Sequence, residues 1–110
     1  MMSQPAPIKT ARSRDVVADL CRNLQDDSPL RDALEARAAV GEQTYGTRLM
    51  THNGRDALQD AHEEILDALA YLWQAWMERR SGSDRSLWLS SAWRDLIAVE
   101  RQIRCLRAGR

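Results

Sequence analysis

The chain has 110 residues, and its 16 basic and 16 acidic side chains cancel. The balance argues against nucleic-acid binding driven by bulk electrostatics, and the lack of a long apolar run argues against a membrane span. A domain this small buries only about two thirds of its unfolded surface, so self-association is expected.

Residues 1–12, with Pro5 and Pro7, read as a disordered lead-in to a single helical domain over 13–110. No secretory pattern is expected there. A first helix is predicted from near Ser13, where Val17, Leu20, Cys21 and Leu24 recur at three and four, and it stops at Gln25-Asp26-Asp27. Ser28 as N-cap and Pro29 in the first turn restart the helix, with a thin apolar face through Leu30, Leu34 and Ala38 towards Gly41. From Thr44 to Gly54 periodicity fails. A loop of that length is often functional, and Asn53-Gly54 is a turn signal.

The longest helix is predicted over Arg55 to Arg79. Leu58, Ala61, Ile65, Leu69, Leu72 and Trp76 share one sector; Asp56, Asp60, Glu63 and Asp67 share the other, with Glu64 at the border above Ala68 and Tyr71. Ser81-Gly82-Ser83-Asp84 breaks it. A last helix from about Ser86 to Leu106 places Trp93, Leu96, Ile97, Ile103 and Leu106 at helical spacing, with Glu100 as one polar interruption. Arg101, Arg104 and Arg107 crowd its end, where the helix dipole favours cations. Trp73, Trp76, Trp88 and Trp93 all fall on these last two helices, which points to aromatic pairing between them or to an oligomer interface. No segment alternates like a strand. The fold class expected is all-α, a four-helix, bundle-like domain with a long third helix.

Cys21 and Cys105 lie far apart and, with only His52 and His62 besides, give no zinc spacing. Free cysteines usually act as small buried hydrophobes, and a reducing, cytoplasmic setting suits them. Neither a phosphate-cradling Gly-x-x-x-x-Gly-Lys loop nor a Gly-x-Ser-x-Gly elbow is present. What remains is the carboxylate cluster Glu63, Glu64 and Asp67. At helical spacing these like charges repel, and a divalent cation would offset the cost. Glu64 and Asp67 are the central candidate Mg²⁺ ligands, Asp60 a further ligand, and Glu63 the candidate general base. The alternative is a solvated acidic face paired with Arg55 or Arg79. Asn53 and Arg55, beside the loop, are candidate substrate contacts, or simply the turn and the helix start.

The string EEILDALAYL, Glu63 to Leu72, resembles the second metal motif of the all-α nucleoside triphosphate pyrophosphohydrolases of the MazG type, where Glu-x-x-Asp precedes an apolar pair and Tyr-Leu. Those positions here are Glu64, Asp67, Tyr71 and Leu72. The stretch YGTRLMTHNGRDALQDAHEEILDALAYL is similar to small phage-encoded MazG-like proteins, and the likeness covers roughly Gln43 to Glu78. It implies Mg²⁺-dependent hydrolysis of a nucleoside triphosphate, a deoxynucleotide by family habit, to the monophosphate and pyrophosphate. It also implies metal ions held between facing helices and a homo-oligomer, either dimer or tetramer. The family's first motif, Glu-x-x-Glu, has no match: Glu35 is followed at three by Ala38, and Glu42 by Tyr45. Asp32 and Glu35 share the spacing without the surrounding sequence. A non-catalytic helical module that binds nucleotide or protein is therefore the competing expectation.

Overall fold

The computed structural model describes residues 3–78 and 85–109, with the backbone alone over 85–89. The described residues form four helices: α1 (Val16–Arg22), α2 (Ser28–Tyr45), α3 (Ala57–Met77) and α4 (Arg85–Ala108). No strand occurs among the described residues, so the architecture is the all-α one that the periodicities predict. Contacts divide the chain into two compact units, Met1–Arg55 and Asp56–Arg110. The first is built on the pair α1 and α2, the second on α3 and α4. No helix of the described residues is long and apolar enough to cross a membrane.

Three of the helices start on an aspartate. Asp15 accepts the Ala18 N–H at 3.0 Å, Asp27 the Leu30 N–H at 3.1 Å and Asp56 the Gln59 N–H at 3.1 Å. Each carboxylate satisfies a backbone donor that the first turn leaves orphaned, and its negative charge suits the helix N-terminus. The starts predicted at Ser13 and Arg55 are thereby moved to Val16 and Ala57, and the cap of α2 is Asp27 rather than Ser28. Gly41 does not end α2. The helix runs to Tyr45 and stops at Gly46, whose φ of 75° turns the chain and lets its N–H reach the Glu42 carbonyl at 2.8 Å.

In the first unit the loop after α2 runs back along the chain before α1. Val16 N–H donates to the Leu49 carbonyl at 3.0 Å and Thr51 N–H to the Arg14 carbonyl at 2.9 Å, around an antiparallel bridge between Asp15 and Met50. Further out, Ile8 N–H donates to the Asn53 carbonyl at 3.0 Å, and Arg55 donates to the Pro5 carbonyl at 2.5 Å. Ile8 of the predicted lead-in thus pairs through its backbone with the loop and Pro5 accepts a side-chain bond from it, contacts that an apolar periodicity search does not register. Gly54 closes this loop at φ 82°, and a Cβ there would stand 3.6 Å from the Ile8 side chain, so the left-handed backbone is what requires glycine.

In the second unit α3 and α4 form an antiparallel hairpin. Its connection, with the predicted break at Ser81-Gly82-Ser83-Asp84 and the predicted helix residue Arg79, lies outside the described residues, as does the side chain of Trp88. Leu58, His62, Ile65, Leu69, Leu72 and Trp76 are half-buried and recur at four and three, the spacing of a helix-packing seam. On α4 the half-buried residues include Trp93, Leu96, Ile97, Glu100, Ile103 and Arg107. Ala61, placed in the apolar sector by its type, is exposed. Trp73 stacks on Trp76 with ring centroids 4.7 Å apart and meets Trp93 at 5.3 Å, so the aromatic pairing between the two helices is present. Cys21 is half-buried, whereas Cys105 is exposed on α4, two residues beyond the seam position Ile103.

Candidate functional site

At 100° per residue, Asp60, Glu64, Asp67 and Tyr71 fall within about 60° of one another, on the side of α3 turned away from α4. Glu64 and Asp67 are exposed, Asp60 is half-buried, and Tyr71 is 69% exposed. Neither Glu64 nor Asp67 makes a hydrogen bond or ion pair with another described residue. Glu63, half-buried, accepts from the Gln59 amide one turn back at 3.2 Å. It thus has a side-chain partner that Glu64 and Asp67 lack.

Among the described residues no three His, Cys, Asp or Glu side chains converge closely enough to form a metal cage. A pair of carboxylates is a different donor set. Mg²⁺ commonly takes one or two carboxylates and fills its octahedron with waters and phosphate oxygens. Glu64 and Asp67, one helical turn apart and open on their outer side, suit a cation shared with a phosphate substrate.

Asn53 and Arg55 are both engaged in the loop. Asn53 is the one polar residue classed as buried among those described, at 9% exposure. Its Oδ1 accepts the Arg55 N–H at 3.1 Å, an Asx turn, and its carbonyl accepts from Ile8. The guanidinium of Arg55 reaches Pro5. His52, immediately before, adopts φ 53°, and its carbonyl accepts the Thr10 hydroxyl at 3.3 Å. These residues shape the turn that delivers the chain to Asp56 and α3.

Two polar clusters went unseen in the sequence. In the first unit Arg48 joins Asp15 at 2.6 Å and Glu35 at 3.1 Å, tying the loop to both helices. The Arg48 guanidinium, followed by the Ala18 N–H, holds the Asp15 carboxyl below its ordinary range, and the two carboxylates raise Arg48. In the second unit His62 Nε2 lies 2.9 Å from Glu100, with both side chains nearly seven-eighths covered. Arg107 lies 2.7 Å from Nδ1 of the same ring. Arginine only donates, so Nδ1 accepts and the ring proton sits on Nε2, facing the carboxylate. Arg104 grips Glu100 with two donors, at 2.5 and 3.1 Å. Arg104 first, and then His62, hold the Glu100 carboxyl below its ordinary range, and Glu100 raises Arg104. Signals for this cluster existed. Glu100 interrupts the apolar stripe of α4, and His62 occupies a seam position of α3 at the matching level.

Compared with family models, curated proteins and solved structures, the chain matches none. The reading of its chemistry therefore stands on the residues and on the motif likeness of α3.

Proposed function

We propose that the chain is a Mg²⁺-dependent nucleoside triphosphate pyrophosphohydrolase that works as a homo-oligomer in nucleotide-pool control. The observation that carries this reading is the open, unpaired couple Glu64 and Asp67, one turn apart on the outer face of α3 beside Asp60 and Tyr71. Bound there, the cation would neutralise phosphate charge and lower the pKa of a water. Glu64 and Asp67 would hold it, with Asp60 as an additional oxygen. Glu63, oriented by Gln59, takes the proton of the water that attacks the α-phosphorus as pyrophosphate leaves.

The test is release of pyrophosphate from a panel of ribo- and deoxynucleoside triphosphates, with Mg²⁺ and with chelator. Glu64→Gln is expected to abolish release while the far-UV helical signal is kept. No release from any nucleotide, or full release by Glu64→Gln, would defeat the proposal.

A second reading is a non-catalytic helical interaction module. It is favoured by the exposed apolar side chains of α3, including Met77 at 67% and Trp73 at 45%. On that reading Mg²⁺ leaves the melting temperature unchanged.

A further inference from the structure

The neutral total of the chain hides a segregation of charge. Residues 1–14 and 43–55 carry Lys9, Arg12, Arg14, Arg48, Arg55 and His52 and no carboxylate, so all 16 acidic side chains lie elsewhere. These two stretches are the ones that pair within the first unit, through Ile8 with Asn53 and Arg14 with Thr51. Two of the cations are engaged there: Arg48 faces Asp15 and Glu35, and Arg55 reaches the Pro5 carbonyl. Lys9, Arg12 and Arg14 stay exposed. No described carboxylate pairs with Lys9 or Arg12. Arg14 meets Asp19 at 3.2 Å, but Asp19 also serves Arg22 at 2.9 Å, so the trio keeps a net positive charge.

Arg12 is held in place without being neutralised. It sits in a turn closed by the Ser13 N–H on the Thr10 carbonyl at 3.1 Å, and its guanidinium lies 3.2 Å from Nε2 of His52. Arginine only donates, so Nε2 accepts and the ring proton sits on Nδ1, 3.1 Å from the Thr51 hydroxyl oxygen. That oxygen also accepts the Arg14 N–H at 2.9 Å. An uncharged relay of Arg12, His52, Thr51 and Arg14 thus fixes two cationic residues near one another. An anion between them would offset their repulsion, and the remaining N–H donors of Arg12 are open to it. Thr51 accepts twice, which leaves its own hydroxyl proton to give.

We infer that this surface binds the sugar–phosphate backbone of single-stranded nucleic acid, Lys9, Arg12 and Arg14 each meeting a phosphate while His52 positions Arg12. The role goes beyond the proposed function and uses none of the carboxylates on which hydrolysis rests. The cations are spread over exposed residues of two paired stretches rather than gathered around one point. That spacing suits a polymer offering one phosphate after another better than a single triphosphate. Thr10, Ser13 and Thr51, interleaved with the cations, are of the hydroxyl type that bonds phosphate and sugar oxygens. Tyr45, 65% exposed at the head of the second stretch, offers a ring on which an unpaired base can stack.

The test is fluorescence anisotropy of a labelled DNA single strand of about twenty nucleotides, titrated with the full chain over a range of salt concentrations. Three phosphate contacts on a single strand give a slope of log K against log salt of about −2. Lys9→Gln and Arg12→Gln, at exposed positions, are each expected to weaken binding about fivefold and to flatten the slope by about 0.7, with the far-UV helical signal kept. His52→Asn keeps a residue type that accepts the backbone at φ 53° and removes the imidazole that braces Arg12. It is expected to weaken binding about threefold at an unchanged slope, as loss of positioning without loss of a contact does. Absence of binding at low salt overturns the inference, as does a slope near zero or one that Arg12→Gln leaves unchanged. Polyglutamate or anionic vesicles bound as tightly as the strand would overturn it in favour of an acidic protein or a membrane surface. Adenosine triphosphate competing as strongly as the strand would assign the cations to a single nucleotide and overturn it too. Pyrophosphate release is a separate readout that Lys9→Gln and Arg12→Gln should leave unchanged, so failure here and failure of the proposed hydrolysis are told apart.

Discussion

In the first unit the distant parts of the chain are tied by polar groups: Arg48 between Asp15 and Glu35, and backbone pairs from Ile8, Val16 and Thr51 to the loop after α2. In the second unit the ties are indoles and aliphatic seams, with one covered polar cluster around His62 and Glu100. The difference follows from the helices themselves. The apolar face of α2 is thin: Leu30 on it is 43% exposed, and Val40, off it, is 45% exposed. A short α1 can bury little against it, so directional hydrogen bonds carry the arrangement. The α3 helix has apolar residues around nearly half its circumference, enough for α4 and for a further surface. The first unit is therefore expected to respond to loss of single donors and acceptors, the second to loss of volume.

The largest expected effect tests the second half of that contrast. Trp93→Ala removes the indole that meets Trp73, and should destabilise the second unit by about 3 kcal/mol, the lower end for such truncations because the ring is only half-buried. Urea denaturation followed by far-UV circular dichroism measures it. A loss no greater than that of a surface substitution would mean the indoles do not hold the hairpin. Next in size, Asp15→Ala takes away the α1 cap and one of the two partners of Arg48. The cap alone is worth about 1 kcal/mol. Amide exchange should show faster opening at Val16, Ala18 and Thr51 while α3 and α4 are unaffected. If protection falls equally in both units, the polar tie is not local to the first.

How far the sequence discloses this contrast depends on the range of the interaction. Helix periodicity is local, so α3 and α4, the aromatic pairing and the all-α class are legible from Leu58, Ile65, Leu69, Trp73, Trp76 and Trp93 alone. Caps are nearly so, since an aspartate three residues before a free N–H announces itself once the competing serine is set aside. Arg48 is not, because its partners lie 33 and 13 residues away and nothing in its neighbours favours Asp15 or Glu35. The same holds for the pairing of residues 5–14 with 49–55, where backbone groups do the bonding and side-chain type says little. The acidic set of α3 could be read as one cluster from spacing. That Glu63 has a partner in Gln59 whereas Glu64 and Asp67 have none is a matter of side-chain geometry, which spacing alone does not give.

A smaller effect sharpens the account of α2. Gly41 lies inside the helix with open space where a Cβ would stand, and its backbone is helical. Gly41→Ala should therefore stabilise the first unit by about 0.5–1 kcal/mol, mainly by restricting the unfolded chain. A rise in melting temperature confined to the first unit checks it. A fall would mean that another part of the molecule packs against this position.

The smallest effect expected is the response to acid, and it bears on the comparison from both sides. The carboxyls of Asp15 and Glu100 are each held below their ordinary range by an arginine, Arg48 and Arg104 respectively. A depressed carboxyl contributes stability that is present above its unfolded pKa and lost as pH falls through its folded one. Both contributions therefore persist above about pH 4 and disappear below it. The guanidinium of Arg104 is 64% exposed, so solvent screens that pair and the loss in the second unit should be slight. The indole contacts do not titrate, whereas in the first unit the same protonation also removes the α1 cap. Amide exchange between pH 5 and pH 3 should then show the loop at Leu49 to Thr51 opening before the α3–α4 hairpin does. Asp15→Asn should flatten that dependence while leaving the hairpin unchanged. If the hairpin opens first, the cluster around Glu100 carries more of the second unit than the tryptophans do, and the division between polar and apolar ties fails.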